Sequence, residues 1–144
     1  MSYNDVNLEL LQKAAEQGYA DAQNNLGVMY ENGDGVEQDY AKAVEFYTKA
    51  AEQELDVAQY YLGNMYKNGE GVEKDYAKAV EFYIKAAEQG NADSQYSLGV
   101  MYENGRGVEQ DYAQAMEWWQ KAAEQGNADA KYNLEAMYKE SEQI

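Results

Sequence analysis

The sequence predicts an all-α solenoid of stacked helix pairs, and three observations carry that prediction. A motif returns every 36 residues along the chain, apolar side chains within each period fall three and four apart, and glycine-bearing punctuation separates the apolar stretches. Leu26, Leu62, Leu98 and Leu134 mark the register. Around them Leu26-Gly27-x-Met29-Tyr30 recurs at Leu62-Gly63-x-Met65-Tyr66 and Leu98-Gly99-x-Met101-Tyr102, then at Leu134-Glu135-x-Met137-Tyr138, where the glycine is lost. Units of this kind bury their faces only on their neighbours, so one domain is expected. Its parts are an N-terminal half repeat (1–19), three full repeats (20–55, 56–91 and 92–127) and a C-terminal half repeat (128–144).

Each period opens with a helix, here called A. From Ala22 to Glu31 the residues Ala22, Leu26, Met29 and Tyr30 gather on one side of a 3.6-residue turn. The punctuation Asn32-Gly33-Asp34-Gly35-Val36 recurs at Asn68-Gly69-Glu70-Gly71-Val72 and Asn104-Gly105-Arg106-Gly107-Val108. Asn-Gly tolerates left-handed backbone, which satisfies the last carbonyls of a helix and stops it. A calcium loop would need alternating oxygen ligands and a closing glutamate, and a phosphate cradle would need a preceding strand and a following Lys-Ser/Thr; neither pattern is present.

The second helix, B, follows. Asp39, Asp75 and Asp111 stand where an N-cap accepts the first free N–H groups. Tyr40, Ala43, Phe46, Tyr47 and Ala50 make a broad apolar face, and Glu45 pairs with Lys49 four residues on at the wetter side. Small Ala50 and Ala51 beside bulky Phe46 and Tyr47 predict interlocked packing. Trp118-Trp119 takes the Phe-Tyr place in the third full repeat and reads as core and groove wall. Gly18, Gly90 and Gly126 end their B helices, while Glu54 occupies that place without a glycine's freedom.

Composition narrows function. The chain has neither Cys nor His, which removes the commonest metal ligands, the side chain that titrates near neutrality, and Ser-His or Cys-His nucleophilic catalysis. Its carboxylates read as helix caps and partners for lysine, so no enzyme, no metal and no cofactor are expected. A net charge of −16 argues against nucleic acid and anionic membranes; it reads first as a well-solvated surface that resists aggregation, and it would also suit a basic protein partner. Asp5 and Glu9 stand where a secretory signal needs a basic start, and no apolar run has membrane-spanning length, so a cytoplasmic location is expected.

The combined pattern is an Ala-Gln-x-x-Leu-Gly-x-x-Tyr stretch, an Asn-Gly-x-Gly-Val loop, a following Asp, and an Ala-x-x-Phe/Trp-Tyr/Trp-x-Lys-Ala-Ala close. It resembles the Sel1-like repeats, and the longer glycine-marked loop separates it from the related tetratricopeptide repeat. The resemblance spans the chain. It implies a right-handed α/α superhelical solenoid that acts as an adaptor in protein complexes. It departs locally at Glu54-Leu55, at Glu135, and in a final loop, Glu140 to Ile144, that carries no glycine. Adjacent full copies agree at roughly two thirds of their positions, as recent duplication or consensus design would produce, and a designed consensus repeat would have no native partner.

Two surfaces follow. With Leu26 at the centre of the buried face, a rotation of about 100° per residue places Asn24, Val28 and Glu31 on the opposite side. If A helices line the inside of the curve, as the resemblance implies, a partner-binding groove is formed by Asn24, Val28, Glu31, Tyr60, Asn64, Lys67, Tyr96, Val100, Glu103 and Tyr132. The same tyrosines would equally serve to cover neighbouring helices. At the ends, Leu8 and Leu11 lie on a B helix with no A helix before it, and Leu134, Met137 and Tyr138 on an A helix with no B helix after it. Docking one onto the other in a second copy would give a head-to-tail homo-oligomer; charged Glu9, Lys13, Lys139 and Glu140 would instead cap a monomer, or the ends would pair by two-fold symmetry.

Overall fold

The computed structural model describes residues 3–143, with side chains from residue 7 onward; Met1, Ile144 and the side chain of Asp5 lie outside the described residues. Among the described residues there are eight helices and no strand: α1 (Tyr3–Glu16), α2 (Ala20–Asn32), α3 (Tyr40–Glu52), α4 (Asp56–Asn68), α5 (Tyr76–Glu88), α6 (Ala92–Asn104), α7 (Tyr112–Glu124) and α8 (Ala128–Glu142). They fall into two compact units, Met1–Asp75 and Tyr76–Ile144. In the first unit α2 packs between α1 and α3, and α4 packs on α3; in the second α6 packs between α5 and α7, and α8 packs on α7.

The helix stops are those the glycines predict. Gly33, Gly69 and Gly105 sit in the left-handed region at φ 71°, 68° and 64°, and each donates its N–H to the carbonyl of the A-helix methionine four residues back. Asp39 and Asp111 then cap α3 and α7 by accepting the N–H groups of Lys42 and Gln114, both at 3.1 Å. The B helices leave through Gly18, Gly90 and Gly126, with φ between 93° and 96°, whereas Glu54 holds φ 64° with a side chain attached. That conformation costs an L-residue about 1 kcal/mol.

The final segment departs from expectation. Glu140 to Glu142 are the last turn of α8, not an A-to-B loop. The physical reason lies in residue type: Ser141 stands where Gly105 ends α6, and no neighbouring residue favours a left-handed stop. Tyr40, assigned to the apolar face of its B helix, is exposed.

Packing in each unit turns on a glycine and a ring. A Cβ at Gly27 would lie 2.6 Å from the ring of fully buried Tyr47, and a Cβ at Gly99 would overlap the ring of fully buried Trp119. The Leu-Gly dipeptide of the A helix is therefore a slot for the aromatic of the following B helix. Ala43 and Ala50 of α3 are fully buried like Tyr47, Leu26 clusters with Ala15 and Ala22, and Ala115, Ala122, Ala130 and Leu134 close the core around Trp119. Phe46 is half-buried and stacks on Tyr30 with ring centroids 5.7 Å apart and planes within 4°.

Consecutive helices are also tied by a buried amide. Gln23 donates to the Ala15 carbonyl of α1 at 3.2 Å and accepts from Gln53 at the end of α3 at 2.8 Å. Gln95 repeats this with the Ala87 carbonyl of α5 at 3.2 Å and with Gln125 at the end of α7 at 2.9 Å. The Ala-Gln of α2 and of α6 and the Ala-Glu-Gln that closes α3 and α7 are thus the two ends of one bond in each unit, a role the spacing alone did not disclose. In α8 the residue at this place is exposed Lys131.

Candidate interaction surface

The A helices position the predicted groove residues, and the two units do so separately. In the first, Val28, Glu31, Tyr60, Asn64 and Lys67 are half-buried. Asn24 is not on a free side: it is only 8% exposed, and its Oδ1 is buried with no hydrogen-bond partner among the described residues. The expectation failed because α2 has helices on both flanks, so its solvent arc is narrower than that of a surface helix. Glu31 is also engaged, its Oε1 accepting the Tyr47 hydroxyl at 2.6 Å. Burial first, and that bond second, push the Tyr47 phenol well above its usual range, so it stays protonated. The Tyr47 ring in turn stacks on Tyr61 at 5.2 Å, and Tyr61 lies beside Tyr60 at 5.6 Å.

In the second unit Tyr96 and Val100 are half-buried against the core formed by Ala115, Trp119, Ala122, Ala130 and Leu134. The Tyr96 carbonyl accepts the Trp119 indole N–H at 3.2 Å. Glu103 is half-buried, and Tyr132 is 72% exposed. The exposed arc therefore consists of edges of half-buried side chains, with Tyr132 as its one open ring.

Four of the five residues expected at a self-association surface pack within their own unit. Leu8 and Leu11 pack on the Ala15, Ala22 and Leu26 cluster, Leu134 belongs to the Trp119 core, and Met137 packs against it. Tyr138 is exposed. Among the described residues no three or more His, Cys, Asp or Glu stand close enough to hold a metal ion, and no helix is long and apolar enough to cross a membrane.

This geometry defines a class first: a helical repeat protein built of paired helix units. The Sel1 repeat profile matches residues 8–19, 20–55, 56–91 and 92–127, and the chain belongs to the Sel1 repeat family. Among solved structures it is similar to a Sel1 repeat protein from Oxalobacter formigenes at 43% identity and a TM-score of 0.82, covering 90% of this chain and 98% of that one. It is similar also to a protective antigen of uropathogenic Escherichia coli with an SLR fold, at 48% identity and a TM-score of 0.91. That match covers 92% of this chain but only 28% of the antigen's. Helicobacter pylori cysteine rich protein B matches at 29% identity with a TM-score of 0.70, covering 88% and 96%. No curated protein matches the sequence.

Proposed function

We infer that the chain is a non-enzymatic scaffold that takes a protein or peptide partner along the A-helix faces of its units. Sel1 repeat proteins generally mediate protein–protein interaction. One observation supports the finer reading most directly: the buried leucine register recurs in every full repeat, whereas the half-buried places beside it on the solvent arc change in size and charge. Leu26, Leu62 and Leu98 are all buried and all leucine, but the half-buried place two residues on is Val28, Asn64 or Val100, and the next along the arc is Glu31, Lys67 or Glu103. Packing restricts the first set, and a partner would select the second.

The test is a selection of displayed peptides on the immobilised chain, followed by affinity measurement on Asn64→Ala, Val100→Glu and Tyr132→Ala. Captured peptides should lose at least tenfold in affinity on these variants with unchanged thermal melting, a difference of about 1.4 kcal/mol. Peptides indifferent to all three, or no selection at all, would sink the reading.

Head-to-tail assembly is the less favoured alternative. Gly27 and Gly99 leave room for a ring of the next B helix, but the same register in α8 holds exposed Glu135, and the ring place in α1 holds Leu11. A junction in the repeat register would press a carboxylate onto leucine, at a cost on the order of a few kcal/mol. Light scattering over a concentration series should accordingly give a constant mass.

A further inference from the structure

We propose that the N-terminal end of α7 carries a pair of adjoining pockets that take the cationic side chains of an arginine-bearing basic segment of another protein. The first, about 690 Å³, is lined by Tyr112, Met116, Met137, Glu103 and Glu140 among others. The second, about 490 Å³, is lined by Tyr102, Glu109, Asp111 and Gln114 among others. Gln110 lines both and is held in place, its amide donating to the Glu103 carbonyl at 2.8 Å and to the Tyr112 hydroxyl at 3.0 Å.

The chain itself shows what such places accept. Tyr30 is the counterpart of Tyr102, and Lys42 lines the corresponding pocket with its ammonium over the ring, 5.2 Å from the centroid. The residue corresponding to Lys42 beside Tyr102 is uncharged Gln114. Tyr76 is the counterpart of Tyr112, and the Arg106 guanidinium lies 5.6 Å from its ring centroid. The residue corresponding to Arg106 beyond Tyr112 is Glu142, an acid. Among the described residues no lysine or arginine lies over Tyr102 or Tyr112, and none lines either pocket.

The larger pocket has a structural origin. Gly107 seats against the Tyr76 carbonyl, and a Cβ there would overlap it; α8 runs on as helix through the corresponding stretch, so no glycine loop covers Tyr112. Charge completes the match. Two carboxylates line each pocket, Glu103 and Glu140 in one and Glu109 and Asp111 in the other, on a chain of net charge −16. The Glu103 carboxylate has no hydrogen bond or ion pair among the described residues. Met116 and Met137 offer polarizable walls for the aliphatic stem of an arginine, the Tyr112 ring faces its cation, and the acids pair with its head. Only Glu103 is shared with the A-helix face, and the pockets stand whether or not that face binds a partner.

The probe is a fluorescent arginine- and glycine-containing peptide titrated into the full chain, beside the same peptide with citrulline for arginine. Gln114→Lys supplies from within the cation that Lys42 supplies beside Tyr30; it should weaken arginine-peptide binding about tenfold, the scale of one cation–π contact with its ion pair. Gln120→Lys adds the same charge at an exposed place on α7 outside both pockets and should change it less than about twofold. Glu103→Gln with Glu140→Gln should likewise weaken binding far more than the equally neutralising pair Glu45→Gln with Glu81→Gln, whose acids sit in exposed ion pairs. All these positions lie outside the buried core, and thermal melting checks that each variant folds. Equal effects of the paired variants, equal binding of the citrulline peptide, or no saturable binding would overturn the proposal.

Discussion

In the first unit the space opened by Gly27 is filled by Tyr47, whose hydroxyl reaches the Glu31 side chain; in the second the space opened by Gly99 is filled by Trp119, whose indole N–H reaches the Tyr96 carbonyl. The choice of ring thus decides what the A-helix acid can do. A phenol in the slot consumes the carboxylate of Glu31, while an indole satisfied by backbone releases Glu103 to the surface. The units differ at their turns as well. The second unit's A helices begin at Asn91 and Asn127, which accept the N–H groups of Ser94 and Ala130 at 2.8 and 2.9 Å, each after a left-handed glycine. In the first, α2 and α4 begin at Tyr19 and Leu55 with no side-chain cap, and Glu54 takes the place of the glycine before α4.

The largest effect should come from closing the slots. Gly99→Ala is expected to destabilise by about 3 kcal/mol and Gly27→Ala by about 2, because indole fills its site more completely than phenol. Urea denaturation measures both, and the reverse order would break the comparison. Replacing the two residues before α4, Glu54→Gly with Leu55→Asn, should stabilise by about 1 kcal/mol by relieving left-handed strain and adding a cap. No gain in thermal stability would mean that the Gln59 bond to Glu54, at 3.2 Å, outweighs both.

Smaller again, Tyr47→Phe removes one hydroxyl-to-carboxylate bond and should cost on the order of 1 kcal/mol near neutral pH. That variant also isolates a pH effect. The folded phenol ionises above its ordinary value of 10.0, so the folded state holds a proton that the unfolded state releases. Its contribution is present in full below pH 10 and is lost as pH rises beyond it. Unfolding curves should therefore show the parent chain losing its advantage over Tyr47→Phe above that pH; a gap that widens there would show the sign to be wrong.

What could be read beforehand was local. Asn-Gly stops, aspartate caps and the Glu45–Lys49 pair, 3.5 Å apart, depend on neighbours within one turn, and such signals lie openly in the sequence. The fate of Asn24, of Glu31 and of the amide ties depended on helices distant in sequence. A rotation of 100° per residue locates a face, but not how many neighbours cover it. The glycine of the Leu-Gly dipeptide was visible as a recurrence, yet its purpose required the Tyr47 and Trp119 rings to be in place. Glu135 marked the one copy that lost it.

The buried glutamines carry a mechanical consequence. Each joins the helix before it to the end of the helix after it, so a pull on one is shared across three helices at once. In the second unit that sharing stops at α7, since Lys131 of α8 has no such amide. Under tension α8 should peel away first, and the tethered trio α5, α6 and α7 should yield together at a higher force.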